Sequence, residues 1–524
     1  FSLSGVSAAP ANTQAGAHSN FTLSYNTDGD EDIRNLVTAL PPGLVGNPQA
    51  AGFCVPAQLI NNNCPGNSVI GNASSNVTAT VPPGISVPLS ANGNVYNMIP
   101  QGSDPATLGI RLDATAAPPI LSSDPVILIG HASARSTDFG LNTTILDIPR
   151  TATVTLLGNV KQSLDIHIDT TTLTLRGAGP QFITNPTSCG TKTTNLTATS
   201  WDGNTATGSA SFNSTGCQNQ AFTPSLAMTI DMSKGGEFFE NPDLTTEITQ
   251  PIGQANQKRV EAILPSTVQA NNNTLNFQCP AAAFPLDPAV PQSCAPNTQI
   301  GTAVARTPLL SQPLQGAVYL IQNPGVLPRV GLDLKGPLPA RIIGNATPTS
   351  EFRLDNVFGD IPPGLPDVPL TQFKLTFGGG KGGLIVATKK VCEGNQPSTY
   401  NAVFDSFGGQ HTTQQATAKV IGCNLKKALA KGRCAHKKLT DVGTNHHDVI
   451  KGTKKRDVIN GRGGGDKIVG LKGNDLLCGG KGKDKIAGGP GKDRLIGGAG
   501  NDKLVGGAGK DGLVGGKGKD RVKQ

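Results

Sequence analysis

Nine aspartates stand at nine-residue intervals near the end of this 524-residue chain: Asp448, Asp457, Asp466, Asp475, Asp484, Asp493, Asp502, Asp511 and Asp520. Two residues after each comes an aliphatic: Ile450, Ile459, Ile468, Leu477, Ile486, Leu495, Leu504, Leu513 and Val522. Carboxylates at this density, set among glycine turns whose carbonyls stay accessible, make an array of hard oxygen ligands, and such oxygens suit Ca²⁺. The competing reading, a disordered polybasic tail, offers no reason for an aliphatic to hold phase with an acid through nine units.

To place these carboxylates together the chain must coil. If each aliphatic points inward from a very short strand and the glycines take positive φ at tight turns, two repeats complete one coil. Aspartates 18 residues apart then stack on one edge at the strand spacing of about 4.8 Å, and the coil has two such edges.

The stretch resembles the haemolysin-type (RTX) calcium-binding nonapeptide repeat, GGxGxDxUx, whose family forms a parallel β-roll with Ca²⁺ held between successive turns. Five units carry the whole turn motif, "GGKGKD", "GGPGKD", "GGAGND", "GGAGKD" and "GGKGKD", ending at Asp484, Asp493, Asp502, Asp511 and Asp520. "GRGGGD" and "GLKGND", ending at Asp466 and Asp475, lack only the second glycine. "GTNHHD" and "GTKKRD", ending at Asp448 and Asp457, keep only the first glycine and are not assigned metal. The resemblance implies as ligands the seven carboxylates from Asp466 to Asp520. It adds turn carbonyls around Gly480, Gly482, Gly489, Gly491, Gly498, Gly500, Gly507, Gly509, Gly516 and Gly518.

Three departures qualify what the resemblance implies. Lysine commonly precedes the aspartate, which is expected to offset carboxylate repulsion and lower the affinity for Ca²⁺. The sequence stops within the repeat pattern at "GKGKDRVKQ" and begins with Phe, so export through a removed N-terminal signal is expected rather than a C-terminal one. Ten cysteines and the lack of an apolar pore-forming stretch argue against a cytolysin.

The rest of the chain is a different object. From Asn424 onward there are 24 Lys/Arg against 10 Asp, whereas the preceding part is net acidic. Ahead of that shift the sequence repeats itself: "VTALPPGL", "GFCVPAQL", "CPGNSVIG", "GNVYNMI" and "LGIRLDA" recur in order as "VEAILPSTV", "NFQCPAAAF", "CAPNTQIG", "GAVYLIQ" and "VGLDLKG". With 66 Gly, 39 Pro and only 4% aromatics, the short alternating runs read as strands rather than helices. The expected fold is all-β: two tandem disulfide-bearing β-sandwich regions (1–222 and 223–423), a basic connector (424–441) and a parallel β-roll (442–524). "NLTATSWDGNTATGSASF" is the clearest hairpin, with Asp202-Gly203 suited to two positive-φ turn positions.

The duplication also pairs cysteines: Cys54 with Cys64 matches Cys279 with Cys294, and Cys189 with Cys217 matches Cys392 with Cys423. Cys434 and Cys478 remain, either bridging the roll to its connector or leaving a free thiol. An even cysteine count without CxxC favours an oxidising compartment, hence an extracellular or cell-surface location. No apolar run is long enough to span a membrane as a helix. "NTDGDED" (Asn26 to Asp32) lacks the Gly and Glu of an EF-hand and reads as an exposed hairpin turn, Trp201 reads as packing, and His446 and His447 as solvated. The eight N-x-S/T triplets receive no function.

No HExxH, GxSxG or phosphate-cradling loop occurs. The expected role is therefore a secreted, bacterial, non-enzymatic calcium-binding protein with a structural or adhesive function. The alternatives are an extracellular hydrolase or carbohydrate-binding protein, and an electrostatic binder of anionic cell-wall polymer or polysaccharide, lipid or nucleic acid through the basic segment. No sequence-specific nucleic-acid contact is expected.

Overall fold

The computed structural model describes residues 1–524 apart from 103, 116–119, 157–159, 178, 180, 234–240, 272, 350–352, 381–382, 388–390, 392–397 and 423–432. It is all-β; the α-helix Pro56–Ile60 spans only five residues. The strands arise where apolar and small polar residues alternate. Along Phe21–Asp28, for example, Phe21, Leu23 and Tyr25 are buried while Thr22 and Ser24 face outward.

The first region is built on β1 (Ser2–Pro10), β2 (Phe21–Asp28), β3 (Ile33–Ala39), β4 (Val69–Val81), β5 (Ile85–Met98), β6 (Thr107–Ala114), β7 (Val126–Ala134), β8 (Leu141–Ile145), β9 (Val160–Leu175), β10 (Gly190–Ser200) and β11 (Thr205–Ser214). Their hydrogen-bonded order is β1-β2-β9-β4-β5-β6-β7-β8-β3-β10-β11. The second region uses β12 (Ser225–Asp231), β13 (Asp243–Thr249), β14 (Gln257–Ile263), β15 (Gln299–Arg306), β16 (Leu314–Ile321), β17 (Arg329–Lys335), β18 (Ala340–Pro348), β19 (Leu354–Phe358), β20 (Gln372–Phe377), β21 (Thr399–Ser406) and β22 (His411–Thr417). Their order is β12-β13-β20-β15-β16-β17-β18-β19-β14-β21-β22, the first path with eleven added to every label, and Lys419–Ile421 adds a parallel strand on the other side of β12. The duplication seen in short peptide matches is thus a duplication of topology.

Each path curls so that its ends meet, giving a sandwich with a barrel-like closure. Gly208 of β11 lies against Val6 and Leu3 of β1. In the second copy the Gln414 side chain of β22 both donates to the Leu226 carbonyl and accepts from the Leu226 amide of β12. The copies differ at their margins: in the first, Ile120–Ser123 and Thr151–Leu156 extend the long strands over a small extra core containing Val77, Leu89, Val154 and Leu164. Bridges Cys54–Cys64, Cys189–Cys217 and Cys279–Cys294 form as expected, while the Cys392–Cys423 pairing lies outside the described residues. An arginine braces each small disulfide loop. Arg111 donates to the carbonyls of Leu59 and Ile60, and Arg341, held by buried Asp333, donates to those of Pro285, Asp287 and Val290.

Two local expectations change. In the β10–β11 turn only Gly203 is left-handed (φ 88°), and the ladder closes at Ser200 with Asn204, so three residues rather than two positive-φ residues make the loop. "NTDGDED" is a turn, but one that joins non-partners: β2 pairs with β1 and β9, whereas β3 pairs with β8 and β10. It crosses the sandwich instead of closing a hairpin.

The copies touch through a buried acid. Asp367 of the second copy accepts from Thr187 Oγ1 (2.6 Å) and Ser188 Oγ (2.8 Å) of the first, and from Asn256 Nδ2 (2.9 Å).

Beyond them, two five-stranded parallel sheets stack into a roll of about 5 turns. One contains Asp441–Val442, Val458–Gly463, Leu476–Lys481, Arg494–Ala499 and Gly512–Lys517; the other contains Val449–Lys451, Lys467–Val469, Lys485–Pro490, Lys503–Ala508 and Arg521–Lys523. Partners lie 18 residues apart, as in Ile486 with Leu504, so two repeats do form one coil. Ile450, Ile459, Ile468, Leu477, Ile486, Leu495 and Leu504 fill its interior; Leu513 packs on them, and Val522 in the last coil is exposed. A hairpin of Arg433–Cys434 with Lys437–Lys438 covers the outer face of the first sheet, and Cys434–Cys478 ties it there.

Candidate metal centre

Each repeat aspartate immediately precedes a strand of the roll, which places its side chain at the turn, under the next coil. Asp484 is fully buried, and Asp466, Asp475, Asp493 and Asp502 are at most 2% exposed. The expected edge ladders are present but sit inside the turns, not on their surface. The backbone stack explains this: the amide of Asp466 donates to Asp484 Oδ1 (2.8 Å), that of Asp484 to Asp502 Oδ1 (2.9 Å), and that of Asp502 to Asp520 Oδ1 (2.9 Å). The other edge repeats the pattern through Asp457, Asp475, Asp493 and Asp511 at 2.8 Å each.

That arrangement uses one oxygen of each carboxylate. The second, Oδ2, is buried without a hydrogen-bond partner in Asp466, Asp475, Asp484, Asp493, Asp502 and Asp511. Six orphaned carboxylate oxygens along two edges are what a hard cation would satisfy. Among the described residues no three His, Cys, Asp or Glu side chains converge on one point, so an ion here would draw the rest of its ligands from turn carbonyls. The ten turn glycines all have positive φ, from 112° at Gly507 and Gly516 to 151° at Gly491. Their tight stacking brings carbonyls close: a Cβ on Gly491 would lie 1.6 Å from the Gly473 oxygen.

Two features escaped the motif reading. The first glycine of each unit cradles its own aspartate; a Cβ on Gly479 would sit 2.3 Å from Asp484 Oδ2. Its presence in all nine units was the available signal. The second feature concerns the two units set aside. Thr444 donates both its amide and its hydroxyl to Asp448 Oδ2 (2.6 and 2.9 Å), and Thr453 does the same to Asp457 Oδ2 (2.6 and 3.0 Å). A threonine in the second position closes the carboxylate from within.

Burial raises the carboxyl pKa values, and neighbouring carboxylates add to it while the donated amides oppose it. Asp466 is pushed up to about 7, and Asp475 and Asp484 to about 6; Asp493 and Asp502 are raised in the same direction. The lysines do not relieve this at contact distance. Among the described residues no repeat aspartate has an ion-pair partner in Lys or Arg, because these side chains leave the turns outward.

Elsewhere, His131–Asp104, His167–Asp32 and His411–Asp405 are hydrogen-bonded pairs. In the first, Thr107 Oγ1 donates to Asp104 rather than to the imidazole, the wrong order for an activated nucleophile. Trp201 is packed, with the guanidinium carbons of Arg34 and Arg150 4.9 and 5.7 Å from its ring centroid and its Nε1 donating to the Ile148 carbonyl. His447 caps the Gly465 carbonyl within the roll.

Segments 442–477, 462–495 and 487–522 match the RTX calcium-binding nonapeptide repeat family. The C-terminal roll is built of RTX repeats. No curated protein matches the chain. Among solved structures, a type II cohesin dyad from the ScaA scaffoldin of Acetivibrio cellulolyticus is 10% identical, with 79% of this chain and 96% of that one covered at a TM-score of 0.14. A Ca²⁺-stabilized, ice-binding adhesin of an Antarctic bacterium is 10% identical, with 80% and 99% covered at a TM-score of 0.10. Likeness at these TM-scores carries no structural or functional inference. No described helix is long and apolar enough to cross a membrane.

Proposed function

We propose that the chain is an extracellular or cell-surface, non-catalytic calcium-binding protein with a structural or adhesive role, whose roll becomes ordered on Ca²⁺ outside the cell. The reading is carried by the six orphaned Oδ2 atoms, buried in register along two edges. The carboxylates from Asp466 to Asp511, with turn carbonyls around glycines such as Gly480, Gly482, Gly489 and Gly491, would hold the ions, and Asp520 would contribute where the last coil is open. Four described disulfides favour an oxidising compartment, where free Ca²⁺ is also available. Binding then supplies the stability that a core of one aliphatic per nine residues lacks.

Peptide-resolved amide exchange on the full chain tests this. Protection across 442–524 is expected to rise with Ca²⁺ at a midpoint in roughly the 10⁻⁴ to 10⁻³ M range, and not with Mg²⁺. Equal protection in chelator, or none at about 10 mM Ca²⁺, would overturn it.

A further inference from the structure

The roll sorts its charges by radius. Residues 442–524 contain 18 Lys/Arg and nine Asp and no Glu. None of the nine aspartates is exposed, whereas every one of the cations except Arg462 is. The solvent-facing surface of the roll is therefore cationic throughout, and ions bound at the buried carboxylates would only add to it.

The cations are also aligned. In the sheet that starts at Val449–Lys451, the position just after the aspartate is Val449 in the first coil and then Lys467, Lys485, Lys503 and Arg521, paired in register from coil to coil. All four cations are exposed, on the opposite side of the strand from buried Ile468, Ile486 and Leu504, and no ion pair involves them among the described residues. In-register like charges about 4.8 Å apart repel one another. The repeat does not demand them. At the same position the other sheet has Val458, Leu476, Arg494 and Gly512, the first two buried under the Cys434 hairpin. A merely soluble face would mix signs; here one face carries a basic column from its second coil to its last, and the other is capped over its first coils.

We propose that this column, Lys467, Lys485, Lys503 and Arg521, is a docking strip for a linear acidic polysaccharide lying along the roll axis. Beside it runs a second outward column of Val469, Ala487 and Val505, small enough to leave the strip flat. The column repeats in register once per coil, an even pitch that suits an extended polymer with an anionic group on successive sugars. Duplex phosphates, in contrast, advance about 3.4 Å per strand residue while winding around an axis. From Asn424 to the end there is no Phe, Tyr or Trp, so neither base stacking nor aromatic anchoring in a lipid interface is on offer. The strip exists only when the roll is folded, so the proposal rests on the calcium reading given above.

The test uses the full, disulfide-bonded chain in Ca²⁺, with heparin as the linear acidic glycan and neutral dextran, duplex DNA and phosphatidylserine vesicles alongside. Two triple variants lose the same charge: K467Q/K485Q/K503Q from the column, and K472Q/K492Q/K510Q from turns of the other edge. All six side chains are exposed, and amide exchange of the roll reports whether each variant still folds on Ca²⁺. The column variant is expected to bind heparin about tenfold more weakly with a shallower salt dependence, the turn variant within about threefold of wild type. Equal loss in both variants, or no loss in either, overturns the strip. DNA or vesicles binding more tightly than heparin with the same dependence on the column overturns the choice of partner. A roll already folded in chelator, with the column variant still selectively weak, supports the strip while sinking the calcium reading.

Discussion

Asp493 illustrates the residue scale: Oδ1 takes the amide of Asp475 and Oδ2 takes nothing. Asparagine keeps an oxygen for the amide but removes the orphaned charge, so Asp493→Asn is expected to raise the Ca²⁺ midpoint several-fold. Asp457→Asn is expected to leave it unchanged, because Thr453 already satisfies that carboxylate. Isothermal titration of the pair decides it; equal effects would mean that the threonine does not exclude metal. The raised carboxyl pKa values set a pH dependence for the metal-free roll. With unfolded carboxyls near about 3.9 and folded values of about 7 at Asp466 and about 6 at Asp475 and Asp484, the unfolded state binds fewer protons through that window. Stability from these groups is complete below about pH 4 and is lost as pH rises through 6 to 7. In chelator the calorimetric transition of the roll is expected to fall as pH increases, and with Ca²⁺ that loss is expected to be reversed as protons cease to compete. A chelated roll that gains stability from pH 5 to 8 would contradict this burial of the carboxylates.

A single repeat is a poor element by itself: one buried aliphatic in a strand of at most 6 residues, with several glycines. Its stability comes from the coils on either side. Leu495 is fully buried in the column of aliphatics, and Leu495→Ala is expected to cost about 2–5 kcal/mol, seen in the roll's transition with that of the sandwiches unmoved. The hairpin is the complementary device on the outer face of the first coils. Cys434–Cys478 closes 44 residues of chain, for which the loop-entropy account gives about 4 kcal/mol. Replacing both cysteines by serine is expected to raise the Ca²⁺ midpoint and expose amides of 441–463 first. Uniform loss of protection across the roll would instead mean that its coils fold as one unit.

At the scale of the whole molecule the two sandwiches are joined by a polar clamp rather than an apolar seam. Asp367 is 4% exposed and takes three side-chain hydrogen bonds, two of them from the other copy. Asp367→Ala leaves Thr187, Ser188 and Asn256 facing a void, and is expected to cost about 3 kcal/mol and split one cooperative transition into two. A single, unshifted transition by calorimetry would show that the copies couple elsewhere.

The short-range features were legible in the sequence because their causes are short-range. The nine-residue phase of acid and aliphatic and the strand alternation around Phe21, Leu23 and Tyr25 follow from neighbours a few residues apart, and the cysteine pairs, 10, 28 and 15 residues apart, were readable because the chain states their spacing twice. From these came the all-β class, the roll, and the Cys54–Cys64, Cys189–Cys217 and Cys279–Cys294 bridges. The order of eleven strands was not legible, since β3 pairs with β10 more than 150 residues away and alternation does not say which strand is whose neighbour. Nor was the fate of each carboxylate. Whether Asp457 is closed by Thr453 while Asp475 keeps an empty oxygen depends on a hydroxyl reaching across the turn, and on an amide arriving from the coil before. The same holds for the lysines, which looked in the sequence like partners for the aspartates beside them. Stacking the strands sends successive side chains to opposite faces, so the tertiary structure turns the acids in, the cations out, and the cations of one sheet into a column.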